Sequence, residues 1–228
     1  MSTANKSSNR WLALMSATLA FTFTFLSRFT WAPLMSTVME EFSINATQAG
    51  LYMSAFFAGY CITQIPGGIM ADKLQPKYIL IIATLLGGIC TALMALIGGY
   101  TMGLVVRIVN GLCSGVIMSS CSKIVTANFA PKERATGMGI LLASPPIGIL
   151  LANQIAPRLM HAVGWRGTFA YVSLFAVLVI VCLFLFVKPI PKAPAPAGKA
   201  GLLEGLAVYF KDPQQIILAL SGFMFMFV

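Results

Sequence analysis

The sequence predicts an all-α membrane protein with six membrane-spanning helices, a linker and the first turns of a seventh helix. Composition is the first reason. Of 228 residues, 58% are apolar and 9% charged, against roughly a quarter charged in soluble domains. So few charges cannot cover a soluble domain of this length. Segmentation is the second reason. Apolar runs occupy residues 11–37, 48–71, 78–100, 102–129, 135–156 and 168–187, each reaching or passing the ~20 residues that carry a helix across a bilayer. The third is the placing of charge, mostly in the short gaps between those runs. A net charge of +9 would otherwise suggest nucleic acid as a partner. Scattered basic residues without a patch exclude it and leave the lipid bilayer as the expected surroundings.

The first run follows Lys6 and Arg10. It is too long for the core of a secretory signal, Arg28 interrupts it, and no small-residue cleavage pattern follows, so it reads as an uncleaved span. The second run ends in Pro66-Gly67-Gly68 and a charged turn with Asp72, Lys73 and Lys77. Small residues at 67, 68 and 71 predict close approach of a neighbouring helix, and the charges mark re-entry into water. The third run is apolar throughout, and the fourth carries Arg107, Gly111 and Ser114. In the fifth, Ser144-Pro145-Pro146-Ile147-Gly148 interrupts the hydrogen-bond ladder and predicts a bend. After the sixth, a Pro- and Ala-rich stretch over 188–199 reads as an extended linker. Residues 201–210 fit either an interfacial helix or an ordered turn. Residues 214–228 cover only ~22 Å as a helix, short of a ~30 Å hydrocarbon core, and read as a span cut before it crosses. The expected domains are thus a bundle (1–187), a central loop (188–213) and the start of a seventh span (214–228).

Orientation follows from the basic residues. Lys6, Arg10, Lys73, Lys77, Lys123, Lys132, Arg134, Lys188, Lys192, Lys199 and Lys211 fall on one side if the spans alternate. Arg158 and Arg166 fall on the other, with Glu40 and Glu41. The positive-inside rule puts the amino terminus and the central loop in the cytoplasm. Cys61, Cys90, Cys113, Cys121 and Cys182 all lie in spans without a CxxC or Cys/His cluster, so no metal or other cofactor is expected. His161, the only histidine, reads as a solvated loop residue.

Two arginines lie inside the spans. An arginine in mid-membrane costs at least ~2.5–3.5 kcal/mol and must face the bundle interior or a wet cavity. Arg28 and Arg107 have no Asp or Glu inside any span to pair with. Two cations facing one cavity favour a small anion, because guanidinium matches carboxylate, phosphate or nitrate through paired hydrogen bonds. Helical spacing puts Thr24, Arg28 and Trp31 on one face, Arg107, Gly111 and Ser114 on another, and Tyr60 and Gln64 on a third. Phe21, Phe23, Phe25 and Met53 read as packing or lipid-facing surface.

Gly68-x-x-x-Asp72-Lys73 followed by Lys77 resembles the loop signature between the second and third helices of the major facilitator superfamily. Glu133-Arg134-Ala135 and Gly164-Trp165-Arg166 resemble its loop patterns. The run Phe56-Phe57-x-Gly59-Tyr60-x-x-x-Gln64-Ile65-Pro66-Gly67-Gly68, with Arg28 and Arg107-Gly111, resembles the anion:cation symporter branch over residues 20–187. The resemblance implies the amino-terminal six-helix half of a twelve-span transporter, with the carboxy-terminal half as its partner. It implies alternating access for a small organic or inorganic anion, by symport, exchange or facilitated diffusion. Arg28, Arg107, Tyr60 and Gln64 would bind the substrate, and Gly68, Asp72 and Lys73 would serve a gate. A bacterial inner membrane is the expected location. Ser27 and Ser114 stand where the branch often carries acids implicated in proton coupling, so coupling to a proton or another cation stays open. Gln75 and Pro76 replace the signature's usual glycine and basic residue.

Two other readings remain. One is a proton-coupled carrier of sugars or drugs, which requires a membrane carboxylate outside this chain. The other is an isolated six-span scaffold, receptor or channel subunit. An enzyme is disfavoured, because no acid–base pair lies inside the membrane.

Overall fold

The computed structural model describes residues 3–190 and residues 214, 216 and 217. The chain divides into two compact units, Met1–Ile190 and Pro191–Val228. In the second, residues 214, 216 and 217 are helical. The linker, the 201–210 segment and most of the seventh run lie outside the described residues.

All regular structure among the described residues is helical. Helices α1 (Thr3–Phe29) and α2 (Trp31–Phe42) form one rod, and α3 (Ala46–Lys73) the next. The third rod is α4 (Pro76–Leu93), closed by a 3-10 turn at Met94–Leu96. Then come α5 (Tyr100–Ser114), α6 (Ile117–Asn128), α7 (Arg134–Leu142) and α8 (Ser144–Phe186). Prolines set two of the breaks. A proline ring clashes with the carbonyl four residues back, and α1 ends at Phe29, four before Pro33. By the same rule Pro145 and Pro146 act on Leu141 and Leu142, and α7 gives way to α8 at Ala143. This is the bend expected in the fifth run.

Four stretches are long and apolar enough to cross a membrane: Arg10–Phe42, Pro76–Leu96, Tyr100–Asn128 and Arg134–Phe186. α3 has 28 residues but is less apolar, carrying Gln48, Gln64, Asp72 and Lys73. The last stretch has 53 residues, about 80 Å as one helix and far too long for one crossing. It reverses at Gly164, whose φ of 73° and ψ of 173° interrupt the helical geometry. The reversal is visible against α1. Ser144 Oγ donates to the Thr18 carbonyl at 3.0 Å, and Ser16 Oγ to the Cys182 carbonyl at 3.4 Å. Residues 144 and 182 therefore lie at one level, on the outgoing and returning limbs.

Polar contacts mark the two ends of the bundle. At one end Arg10 pairs with Glu133 at 2.6 Å, Lys123 pairs with Asp72, and Lys77 Nζ donates to the Phe184 carbonyl at 2.9 Å. At the other, Arg166 pairs with Glu41 at 2.6 Å and donates to the carbonyls of Ala95 and Ile97, both at 2.9 Å. There too, Tyr52 OH donates to the Tyr100 carbonyl at 3.1 Å, and Thr37 Oγ1 reaches Met160 Sδ at 3.5 Å. Each of the six rods contributes to both ends, so the bundle consists of six antiparallel crossings.

The core is split between the ends. One apolar cluster holds Leu14, Leu26, Leu80, Val116, Phe129 and Leu183, and the other Trp31, Val38, Met94, Val106 and Trp165. Along the first rod the clusters change over between Leu26 and Trp31, and along the fourth between Val106 and Val116. Arg28 and Arg107 lie in that seam.

Candidate functional site

The site is built on a close crossing of α3 over α5. A Cβ added to Gly59 would run into the Ile108 carbonyl, and one on Gly111 into the Phe56 carbonyl. Only glycine lets the two backbones touch at both points. The contact lays the Phe56–Tyr60 turn of α3 against the Arg107–Gly111 turn of α5.

Arg28 comes to this crossing from the last turn of α1 and is 4% exposed. Its Cζ lies 4.3 Å from the Phe25 ring centroid, 5.1 Å from those of Phe29, Phe56 and Phe57, and 5.7 Å from that of Tyr60. Ring faces attract the delocalised cation without occupying its N–H groups. Arg28 Nε accordingly has no hydrogen-bond partner.

Arg107 is 1% exposed. Its Cζ is 5.3 Å from the Trp31 ring and 5.8 Å from that of Phe169. Nη1 makes a long 3.5 Å contact to the Arg28 carbonyl, next to the break between α1 and α2. Arg107 Nε and Nη2 have no partner, and neither does the Trp31 indole nitrogen. The described carboxylates, Glu40, Glu41, Asp72 and Glu133, all lie near rod ends. The bundle thus holds two buried guanidinium groups with unused N–H donors and no carboxylate beside them.

Beside them the polar groups are neutral. Ser114 Oγ donates to the Asn110 carbonyl at 2.8 Å, and Asn110 Nδ2 lies 3.5 Å from Thr91 Oγ1. Ser27 Oγ bonds back to the Thr24 carbonyl at 3.2 Å. The two serines standing where the resembling branch often has acids are thus engaged by their own helices.

Of the residues singled out in the sequence, Tyr60 lies beside the Arg28 guanidinium, and Arg107 reaches the Arg28 backbone carbonyl. Gln64 lies one turn from Tyr60, on the exposed side of α3. Trp31 differs from expectation. Helical spacing shared it with Arg28, but the break after Phe29 turns its ring to Arg107 and to Tyr52, 4.4 Å between centroids. Phe25, read as packing surface, is the ring nearest Arg28. Asp72 pairs with Lys123 on α6, and Lys73 is exposed with no ion pair among the described residues. Of the three small residues expected to admit a neighbour, Gly67 faces Val116 and Ala71 is buried. Gly68 has no such neighbour, because a Cβ there would meet nothing within 4 Å. Phe29 and Phe169 were not singled out, and the approach of Phe56 and Phe57 to Arg28, of Phe169 to Arg107 and of Lys123 to Asp72 exists only in the folded bundle.

A family model described as the Major Facilitator Superfamily matches residues 17–228. The hexuronate transporter of Bacillus subtilis is 27% identical over 198 residues, covering 84% of this chain and 47% of that protein. The probable L-galactonate transporter of Escherichia coli is 26% identical over 152 residues, 67% of this chain and 34% of that protein. The probable sulfoacetate transporter SauU of Cupriavidus necator is 32% identical over 132 residues, 58% of this chain and 31% of that protein. Among solved structures, a bacterial homolog of the human lysosomal transporter Spinster, inward-facing and unoccupied, superposes with a TM-score of 0.79 at 21% identity. It covers 90% of this chain and 50% of that one. The chain spans less than half the length of these curated relatives.

Proposed function

The chain belongs to the Major Facilitator Superfamily, and from that premise we propose that it forms the amino-terminal half of a secondary transporter for a small anion. In this proposal residues 1–187 form the six-helix bundle. The observation that carries the substrate class is the pair of buried arginines, whose N–H donors are unpaired and which have no carboxylate beside them. An anion supplies the missing acceptors and offsets the cost of the buried charge. The relatives named for hexuronate, galactonate and sulfoacetate support the same class.

In this reading Arg28 and Arg107 hold the anion, while Tyr60 and Gln64 orient it from the second crossing. The carboxy-terminal half closes the site from the opposite side, and the two halves rock about it near the bilayer midplane. The end bearing Asp72 is cytoplasmic, because the basic excess lies there. Gly68 leaves open space on α3 beside Asp72, and Asp72 with Lys73 serves the gate where the other half approaches. The setting in this reading is the inner membrane of a bacterium.

The test is uptake into proteoliposomes by the full-length transporter, wild type beside Arg28→Gln, with hexuronate, phosphate, nitrate and neutral sugars as solutes. Anion uptake abolished by the substitution is the expected result. Selective anion uptake that survives it removes Arg28 from the site. Transport of neutral or cationic solutes alone overturns the anion reading.

A further inference from the structure

We propose that the cleft between α3 and α4 is a binding groove for one acyl chain of an anionic phospholipid, in the leaflet on the Asp72 side. The two helices part beyond the turn at Leu74–Gln75, and α5 closes the gap behind them. The resulting cavity is about 580 Å³ and includes Met70, Leu74, Tyr78, Ile82, Leu86 and Val116 in its lining. Its wall is almost entirely carbon. Two of its polar groups are already engaged. Thr63 Oγ1 donates within α3 to the Gly59 carbonyl at 3.2 Å. The Gln75 amide exchanges hydrogen bonds with the Ile190 backbone at 2.8 and 3.0 Å. A ligand here is therefore apolar along most of its length.

The depth fits a leaflet. From Leu74 at the water boundary to Thr63 the groove follows α3 for about 16 Å, half of a ~30 Å hydrocarbon core. Its open side faces lipid. The exposed face of α4, through Ile82, Leu85, Leu86, Ile89 and Leu93, carries only large aliphatic side chains. Helix-contact surfaces in membranes are instead rich in small residues. The mouth supplies charge. Asp72 is neutralised by Lys123, and Lys77 is committed to the Phe184 carbonyl. Lys73, beside Leu74, is exposed and has no ion pair among the described residues. Tyr78, 52% exposed at the same level, has the amphipathic ring favoured at the headgroup boundary. A phosphate headgroup meets Lys73 when its chain enters the groove.

The experiment places the full-length protein in nanodiscs containing phosphatidylglycerol with a photoreactive acyl terminus, and parallel discs with the phosphatidylethanolamine counterpart. Peptides covering 70–86 and 112–116 are expected to label well above the exposed face of α8 at 177–185, and more from phosphatidylglycerol. Lys73→Gln is expected to reduce the preference for phosphatidylglycerol roughly fivefold, the usual worth of one basic residue at an anionic surface. Ala83→Phe, which fills the cavity floor, is expected to remove groove labelling while that of α8 persists. Should it fail to fold, the exposed Lys73→Gln decides alone. Labelling shared evenly between groove and α8 means ordinary boundary lipid and overturns the proposal. So does an unlabelled groove, which means that protein covers it, or equal labelling from both lipids.

Discussion

Arg28 and Arg107 answer the same electrostatic problem with different surroundings. Arg28 is caged by five aromatic rings, whereas Arg107 has Trp31, Phe169 and one long contact to a carbonyl. The second leaves more directed N–H capacity free, so Arg107 is the better candidate for paired hydrogen bonds to an anion. Charge alone does not reproduce that geometry. Arg107→Lys is therefore expected to lower the affinity for the anion roughly tenfold or more in the full-length transporter. Concentration-dependent uptake with protein level matched by immunoblot checks it, and unchanged half-saturation would mean that position 107 contributes charge without recognition. Both arginines were legible in the sequence because a cation stands out in an apolar run. The cage was not. Phenylalanine is ordinary in a span, and Phe56 and Phe57 come from another helix, so their approach to Arg28 exists only once α1 and α3 are assembled.

Among the elements, proline breaks were legible and the reversal in α8 only partly so. Pro145 and Pro146 announce the bend at Ala143, since the clash four residues back is a local rule. The reversal between the fifth and sixth runs was expected somewhere in 157–167, but its hinge is a single residue. Gly164 has φ 73° and ψ 173°, a region essentially closed to residues with a Cβ. A Cβ there meets nothing within 4 Å, so any penalty comes from the backbone alone. Gly164→Ala is expected to destabilise the bundle by about 1–3 kcal/mol. Gly139→Ala is the control, because Gly139 is helical in α7 and likewise has open space. It is expected to be neutral or to stabilise by up to about 1 kcal/mol. Thermal unfolding of both variants in the same detergent checks the contrast. Equal effects would mean that the turn tolerates a side chain by relaxing. The break between α5 and α6 at Gly115–Val116 carries no proline and falls at the Ser114–Gly115 pair, a kind of site where helices kink. Gly115 also packs tightly, because a Cβ there would run into Thr63 and the Tyr60 carbonyl on α3.

For the whole molecule, six antiparallel crossings put every described carboxylate near one end of the bundle or the other, and two cations between. The ends are unequal. Arg10, Lys73, Lys77, Lys123, Lys132, Arg134 and Lys188 gather at the Asp72 end, while Arg158 and Arg166 lie toward the Glu41 end. Some of that charge is neutralised in pairs, but topology is set by basic residues near the ends of spans rather than by net charge. The Asp72 end is thus expected to stay in the cytoplasm, and the Gly164 reversal to lie outside. In a background with its five cysteines replaced, Lys132→Cys and His161→Cys are both exposed positions for a membrane-impermeant maleimide. In intact cells His161→Cys is expected to react and Lys132→Cys to react only after the membrane is opened. The reverse pattern would invert the bundle and put the proposed gate on the outer face. Reaction of both in intact cells would break the alternation of crossings itself, and with it the placing of Arg28 and Arg107 between two aqueous faces.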